Sequence, residues 1–110
     1  MIYVKINKNE SGLITSFTME GHAGFDDSGK DLVCAGASAV SFGSLNAVMA
    51  LTGITPDIDQ GEDGGLLSCR VPDELPADKR DQVQLLLEGM VVSLQTIEEE
   101  YGQYIQINIL

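Results

Sequence analysis

The sequence predicts a single α+β domain in which one mixed β-sheet carries two packed helices, with the element order ββαββαβ. Three observations predict this fold: alternating apolar residues near both ends of the chain, two segments with helical spacing, and turn residues at the junctions. The length of 110 residues fits one domain and allows a core without disulfides or metals. We therefore expect residues 1–110 to form one unit.

The first three segments are predicted to be a β-hairpin followed by a loop. Residues 1–8 alternate, with apolar side chains at every second position from Ile2. Turn residues at 9–12 separate this strand from a second extended segment at 13–19. Glycine, aspartate and serine then dominate residues 21–30, which predicts a loop.

The period changes to that of a helix from Asp31 onwards. Residues at intervals of three and four face one side, namely Val33, Ala37, Val40, Ser44, Val48 and Leu51. The segment is rich in glycine, alanine and serine, so it can lie close to a sheet or to another backbone. Gly53 is a plausible end of this helix.

The second half of the chain repeats the pattern of two strands and a helix. Residues 54–58 and 66–71 are predicted strands joined by a glycine-rich hairpin turn. A long amphipathic helix is predicted over 79–101, with Gly102 at its end. Residues 104–110 alternate again and complete the sheet as its last strand.

The chain is strongly acidic, with 17 Asp and Glu residues against six Lys and Arg and a net charge of −11. No basic stripe is present, which disfavours direct binding to nucleic acid. An acidic field attracts a basic partner instead, although the same charge can simply keep a protein soluble.

The N-terminal region indicates a cytoplasmic protein. Residues 1–20 alternate and include Lys5 and Glu10, so they lack the apolar core of a secretory signal. No window contains the roughly 18 uninterrupted apolar residues of a membrane span. Thiols stay reduced in the cytosol, so we expect Cys34 and Cys69 to be free rather than disulfide-bonded.

A phosphate-binding loop is a poor match, although residues 24–30 have the spacing G-x-x-x-x-G-K. Asp31 stands where that motif needs Ser or Thr to hold magnesium. Asp26 and Asp27 also lie where the loop would wrap a polyanion.

Metal sites match equally poorly. Residues 57–61 resemble the start of a calcium loop, but Glu62 replaces the required glycine and Ser68 the bidentate glutamate. One histidine and two cysteines have no recognised zinc spacing, and Cys69 is expected to be a small buried residue within a strand. We expect no metal and no other cofactor.

Cys34 and His22 form the candidate catalytic pair. Cys34 is predicted to lie in the first turn of the small-residue helix, where unpaired N–H groups and the helix dipole stabilise a thiolate. His22 is the single histidine, twelve residues earlier at the end of a strand. A thiolate within reach of an imidazole suffices for nucleophilic acyl transfer. The residues alone leave open that Cys34 merely packs and that His22 merely lies on the surface.

Two sequence blocks, Gly21-His22-Ala23-Gly24 and Gly29 to Ser38, together resemble the signature of the bacterial ribosomal-processing cysteine proteases. The segment from Met90 to Tyr101 resembles that family too, and the likeness spans essentially the whole chain. The resemblance implies that His22 and Cys34 are the catalytic dyad. It also implies that the substrate is a basic protein of the bacterial large ribosomal subunit, which loses a short N-terminal extension.

The resemblance further implies a homodimer and a glycine-rich substrate loop between the two catalytic residues. Asp31 is expected either to orient His22 or to cap the helix, and Ser38 either to contact the site or to pack on the sheet. The N–H of Cys34 is expected to be among the donors that hold the oxyanion. The residues expected in the substrate loop are Gly24, Asp26, Asp27 and Gly29.

Two other functions remain open from the sequence. One is a non-catalytic acidic module that binds a ribosomal protein or an assembly factor. The other is a thiol redox sensor in which Cys69 resolves an oxidised Cys34.

Overall fold

The computed structural model of the chain describes residues 1–21, 28–61 and 66–110, and only the backbone of residues 28–31. It confirms a five-stranded mixed sheet with two helices in the predicted order. The elements are β1 (Ile2–Lys8), β2 (Ile14–Glu20), α1 (Ser28–Thr52), β3 (Asp57–Asp59), β4 (Leu66–Arg70), α2 (Ala77–Tyr101) and β5 (Ile105–Ile109).

The sheet has the strand order β3-β4-β2-β1-β5. Three neighbouring pairs are antiparallel, and β1 with β5 is the parallel pair. The parallel pair follows from connectivity, because β5 returns to the sheet after the long crossover that contains α2. The first and last strands of the chain are therefore hydrogen-bonded neighbours.

The turn between β1 and β2 is held by the side chain of Asn9. Its Oδ1 accepts hydrogen bonds from the backbone N–H groups of Ser11 (2.9 Å) and Leu13 (3.0 Å). Gly12 has a φ of 82°, a left-handed conformation that glycine adopts without steric cost. The turn predicted from the residue types at 9–12 is thereby confirmed.

One face of the sheet and the two helices share a single hydrophobic core. Alternation along β1 buries Ile2, Val4 and Ile6, whereas Tyr3 is 42% exposed. Phe17 in the central strand β2 is fully buried and is opposite Ile6 in the register.

Helix α2 is tied to the sheet by two polar side chains. The Gln84 amide accepts a hydrogen bond from the Ile14 N–H and donates one to the Ile14 carbonyl, both at 2.8 Å. Near the other end of the helix, Glu98 Oε2 accepts a hydrogen bond from the Ile107 N–H at 2.8 Å. These contacts fix α2 between the start of β2 and the edge strand β5.

Helix α1 carries a continuous buried stripe at intervals of three and four residues: Val33, Ala37, Ser41, Leu45, Val48 and Thr52. The predicted spacing is confirmed, although Val40 and Ser44 are only partly buried and Leu51 is exposed. Gly53 has a φ of 76° and directly follows the helix, as predicted.

Within the described residues, the segment Leu32–Thr52 of α1 is long and apolar enough to cross a membrane, judged by length and composition. Core helices of soluble proteins meet the same criterion. This segment contributes Val33, Ala37, Leu45 and Val48 to the core.

The bounds of α1 and β3 differ most from the predictions, and α2 begins at Ala77 rather than at residue 79. α1 begins at Ser28 rather than Asp31, so residues 28–30 are not part of a loop. No apolar residue precedes Leu32 in this segment, so hydrophobic periodicity gives no signal for the first helical turn. β3 covers Asp57–Asp59 rather than residues 54–58. Pro56 lacks the N–H needed for pairing, so the strand begins after it.

Candidate active site

Cys34 lies in α1 and is partly buried, with its side chain packed against the edge of the core. It neighbours the buried Val33 in the sequence and precedes the fully buried Ala37 by three residues. The flanking core residues therefore fix the face of the helix from which the thiol projects. A partly exposed thiol on a rigid helix is accessible to a substrate while its position is fixed.

Cys34 is the seventh residue of α1, in the second helical turn. The prediction that it lies in the first turn is therefore wrong, because the helix starts three residues earlier than predicted. In an α-helix only the first four N–H groups lack an intrahelical partner, and in α1 these belong to residues 28–31. The Cys34 N–H is not among these four groups, and its part in holding the oxyanion stays a prediction.

Ser38 is one helical turn beyond Cys34 and is also partly buried. Residues four apart lie on the same face of a helix, so Ser38 lies on the helix face that carries Cys34. Asp31 and Gly29 belong to the first turn of α1, and their side-chain surroundings lie outside the described part of the chain.

His22 and the predicted loop residues Gly24, Asp26 and Asp27 lie outside the described residues. The preceding residue, Gly21, is described and stands at the end of β2. β2 ends with Glu20, which is opposite Tyr3 of β1 and Leu66 of β4. Gly21, the residue before His22 in the sequence, therefore lies at this end of the three central strands.

A side-chain hydrogen bond joins α1 to β2. The hydroxyl of Ser41, a fully buried residue of α1, lies 3.5 Å from the Met19 sulfur and donates a hydrogen bond to it. Met19 is two residues before Gly21, and Ser41 is seven residues after Cys34. The strand that leads to His22 and the helix that carries Cys34 therefore touch near the same end of the sheet.

Cys69 is a free cysteine on β4 and is fully buried, as expected for a small residue within a strand. Burial raises the pKa of its thiol to about 11, and the nearby negative charge of Asp57 adds to this shift. The thiol is therefore protonated and unreactive near neutral pH.

The described residues show no metal-binding cluster, since no three His, Cys, Asp or Glu side chains come together there. A cavity of about 90 Å³ lies between the β1–β2 turn and the segment leading into α2. It is lined by residues such as Leu13, Pro72 and Arg80, and Cys34 is not among them. Pockets that bind small ligands are typically several times larger.

The sequence profile of the family described as "Cysteine protease Prp" matches residues 1–106. The chain is 47% identical over 107 residues to the ribosomal processing cysteine protease Prp of Bacillus subtilis, covering 97% of this chain and 96% of the relative. It is 48% identical over 108 residues to the protein of the same name from Staphylococcus aureus, covering 98% of both chains.

Solved structures agree with these similarities. The fold is similar to that of the essential ribosomal processing protease Prp from S. aureus in complex with a substrate peptide, at 46% identity, with a TM-score of 0.88 and full coverage of both chains. The same S. aureus protease with a covalently linked product peptide gives a TM-score of 0.85 at 46% identity, again over both full chains. The protein SMU.848 from Streptococcus mutans is 28% identical, with a TM-score of 0.88, and the match covers 100% of this chain and 94% of that one.

Proposed function

The chain belongs to the family of the cysteine protease Prp, and on that premise we propose that it is an endopeptidase that removes the N-terminal extension of a bacterial large-ribosomal-subunit protein. The observation that carries this proposal is the match over residues 1–106 to a cysteine-protease family. The two S. aureus complexes add that a member of the family binds a substrate peptide and forms a covalent link to a product peptide.

Cys34 is the nucleophile in this proposal, and His22 is its general base. From Ser41 back to Cys34 the helix rises about 10.5 Å. From Met19 to His22 an extended chain advances about 10 Å. The Ser41–Met19 contact joins these two paths at one point. Six residues separate Gly21 from Ser28, so the connection spans at most about 25 Å, which keeps the start of α1 near the end of β2. These lengths support a meeting of imidazole and thiol.

The reaction follows from this pair. His22 accepts the thiol proton, and the Cys34 sulfur attacks the scissile carbonyl carbon to form a tetrahedral intermediate. His22 then gives that proton to the leaving amine as the C–N bond breaks, which leaves a thioester on Cys34. Water attacks the thioester, its proton passes to His22, and the thiolate leaves to release the product carboxylate. The negative charge on the oxygen of the tetrahedral intermediate needs hydrogen-bond donors, and backbone N–H groups near the start of α1 are the proposed ones.

Six further residues complete the proposed site, and two of them, Gly29 and Asp31, belong to the first turn of α1. Asp31 either orients His22 or caps α1, and Ser38 either contacts the site or packs on the sheet. The residues assigned to substrate binding are Gly24, Asp26, Asp27 and Gly29.

We expect the purified chain to cleave the extended ribosomal protein once, between its extension and its mature N-terminus. Mass spectrometry of the two products measures this directly. Because the chain carries a net charge of −11 and its substrate is basic, kcat/KM should fall about tenfold or more between low and high salt. A substrate that stays intact contradicts the proposed function. A kcat/KM independent of salt contradicts only the electrostatic steering.

A further part of the proposal concerns where the protein acts and what it contacts. A protease that processes ribosomal proteins acts in the cytoplasm, where these proteins are made. Its partner is the basic protein substrate rather than nucleic acid, because a strongly acidic surface repels a polyanion.

We also propose that two copies pair through the outward face of α1. Only 28% of the Leu32–Thr52 window is buried within one chain. Leu32 and Phe42 are 60% and 36% exposed on this face. No charged residue occurs from Leu32 to Thr52, although the whole chain is strongly acidic. Two acidic chains approach most easily through a face without charge, which selects a second copy as the occupant.

Replacing Phe42 with Glu is therefore expected to convert the dimer into a monomer. The change places like charges opposite each other across the proposed interface. Light scattering coupled to size exclusion measures the mass of each protein. Gln106→Glu on the exposed sheet surface is the matched control and should leave the mass unchanged. A parent protein that is monomeric at tens of micromolar contradicts this pairing.

A further inference from the structure

Gly21 occupies a backbone position from which any side chain is excluded. Its φ is +134°, a conformation that residues with a Cβ rarely adopt. An ideal Cβ at Gly21 would overlap the carbonyl oxygen of Met1 and lie 3.0 Å from the Cα of Ile2 and 3.2 Å from the Met1 carbonyl carbon. All of these atoms belong to the backbone rather than to a side chain.

Among the glycines whose surroundings are described, this combination occurs at Gly21. Gly12 and Gly53 also have positive φ angles, but a Cβ at either would meet nothing within 4 Å. A Cβ at Gly36 would lie 3.7 Å from its nearest neighbour, the flexible end of the Ile97 side chain. The residue before His22 therefore has a left-handed backbone conformation and also lies too close to other backbone atoms to carry a Cβ.

We propose that Gly21 is a positioning residue for His22, and that the backbone of Met1 and Ile2 sets the direction in which the chain leaves β2. This inference rests on the proposed role of His22 as general base. The β1–β2 pairing runs up to Tyr3 and Glu20, so the backbone of Met1 and Ile2 continues directly from the hydrogen-bonded part of the sheet. The Ile2 N–H donates a hydrogen bond to the Tyr104 carbonyl at 2.8 Å, which anchors this backbone to the turn before β5.

The physical effect of Gly21 is transmitted through one peptide bond. The Cα atoms of consecutive residues are about 3.8 Å apart, so the dihedral angles of Gly21 set the direction in which the chain continues after it. A residue with a Cβ must change its own φ and also move away from Met1, and both adjustments rotate the following residue. A misplacement of about 1 Å between reacting groups lowers a rate roughly 100-fold.

The test compares Gly21→Ala with Gly12→Ala, which has a similar left-handed requirement but no obstruction. We expect Gly21→Ala to lower kcat by about 100-fold with KM little changed, and Gly12→Ala to stay within about threefold of the parent. The second readout is the pH dependence of Cys34 alkylation by a small neutral reagent. Gly21→Ala should reproduce the altered profile of His22→Ala, which a loss of stability alone would not do.

Removal of Met1 provides the rescue experiment. In a chain that starts at Ile2, the overlapping carbonyl is gone, so Gly21→Ala should cost at least tenfold less in kcat than it does in the full chain. The test also holds if full-length Gly21→Ala folds poorly, because the chain that starts at Ile2 is measured both with Gly21 and with Gly21→Ala. An equal cost in both backgrounds, or a parent-like alkylation profile in Gly21→Ala, overturns the inference. A parent-like profile in His22→Ala instead overturns the proposed catalytic pair.

Discussion

Replacing Cys34 with Ala is expected to abolish cleavage of the extended ribosomal protein, with kcat reduced by at least about 10⁴-fold. The change removes the sulfur that forms the thioester and leaves an inert methyl group on the same helix face. Since Cys34 is only partly buried, the fold should survive. Product mass over time gives the rate, and circular dichroism shows that α1 and α2 remain folded. His22→Ala should lose activity to a similar degree.

Cys69→Ala is the matched control for this experiment. Cys69 is fully buried, and its pKa is raised to about 11 by burial and by Asp57, so it takes no part in thiol chemistry near neutral pH. Its replacement should cost stability by about 1 kcal/mol and leave kcat unchanged. Iodoacetamide should label the native parent once, at Cys34, and the unfolded parent twice. Cleavage by Cys34→Ala at the parent rate would exclude the proposed nucleophile.

The same pair of variants separates the peptidase from the two other functions that the sequence leaves open. A binding module without catalysis keeps its function in Cys34→Ala, whereas the peptidase keeps affinity and loses turnover. A redox sensor that forms a Cys34–Cys69 disulfide depends on both thiols. Oxidation and re-reduction are expected to change the activity of Cys69→Ala to the same extent as that of the parent, because a fully buried thiol at this pKa is a poor resolving group.

The fold was predictable because its signals are local and strong. Alternation around Ile2 and Ile105, and the buried spacing that starts at Val33, each indicate one face of one element. The strand order was not predictable, since it depends on which edges pair after the helices have crossed the sheet. Nothing in residues 105–109 indicates that β5 joins β1 in parallel rather than extending the other edge.

The candidate site was predictable in its residue types and only partly in its geometry. Cys34 lies on a helix as expected, but the extra turn from Ser28 moves it away from the unpaired N–H groups. That turn is polar, so hydrophobic periodicity could not reveal it. The sequence places Gly21 at the start of the predicted loop. Its tight approach to Met1 joins positions twenty residues apart and becomes visible only in three dimensions.

Leu87→Ala is expected to destabilise the protein by about 2–5 kcal/mol, because it leaves a cavity in the core under α2. Leu87 is fully buried and belongs to the same cluster as Phe17 and Ala37. Urea denaturation measures the change in the free energy of unfolding, and the midpoint should fall with little change in slope.

Leu85→Ala is the matched control, since it makes the same chemical change two residues earlier in the same helix. Leu85 is 74% exposed, so its replacement should change the stability by no more than about 0.5 kcal/mol. Equal losses in both variants would contradict the packing of α2 on the sheet. That packing also affects catalysis, because the side chain of Ile97 in α2 lies beside Gly36, two residues after Cys34. A weakened α2 therefore loosens the helix that holds the thiol, and at temperatures near unfolding Leu87→Ala should lose activity before Leu85→Ala does.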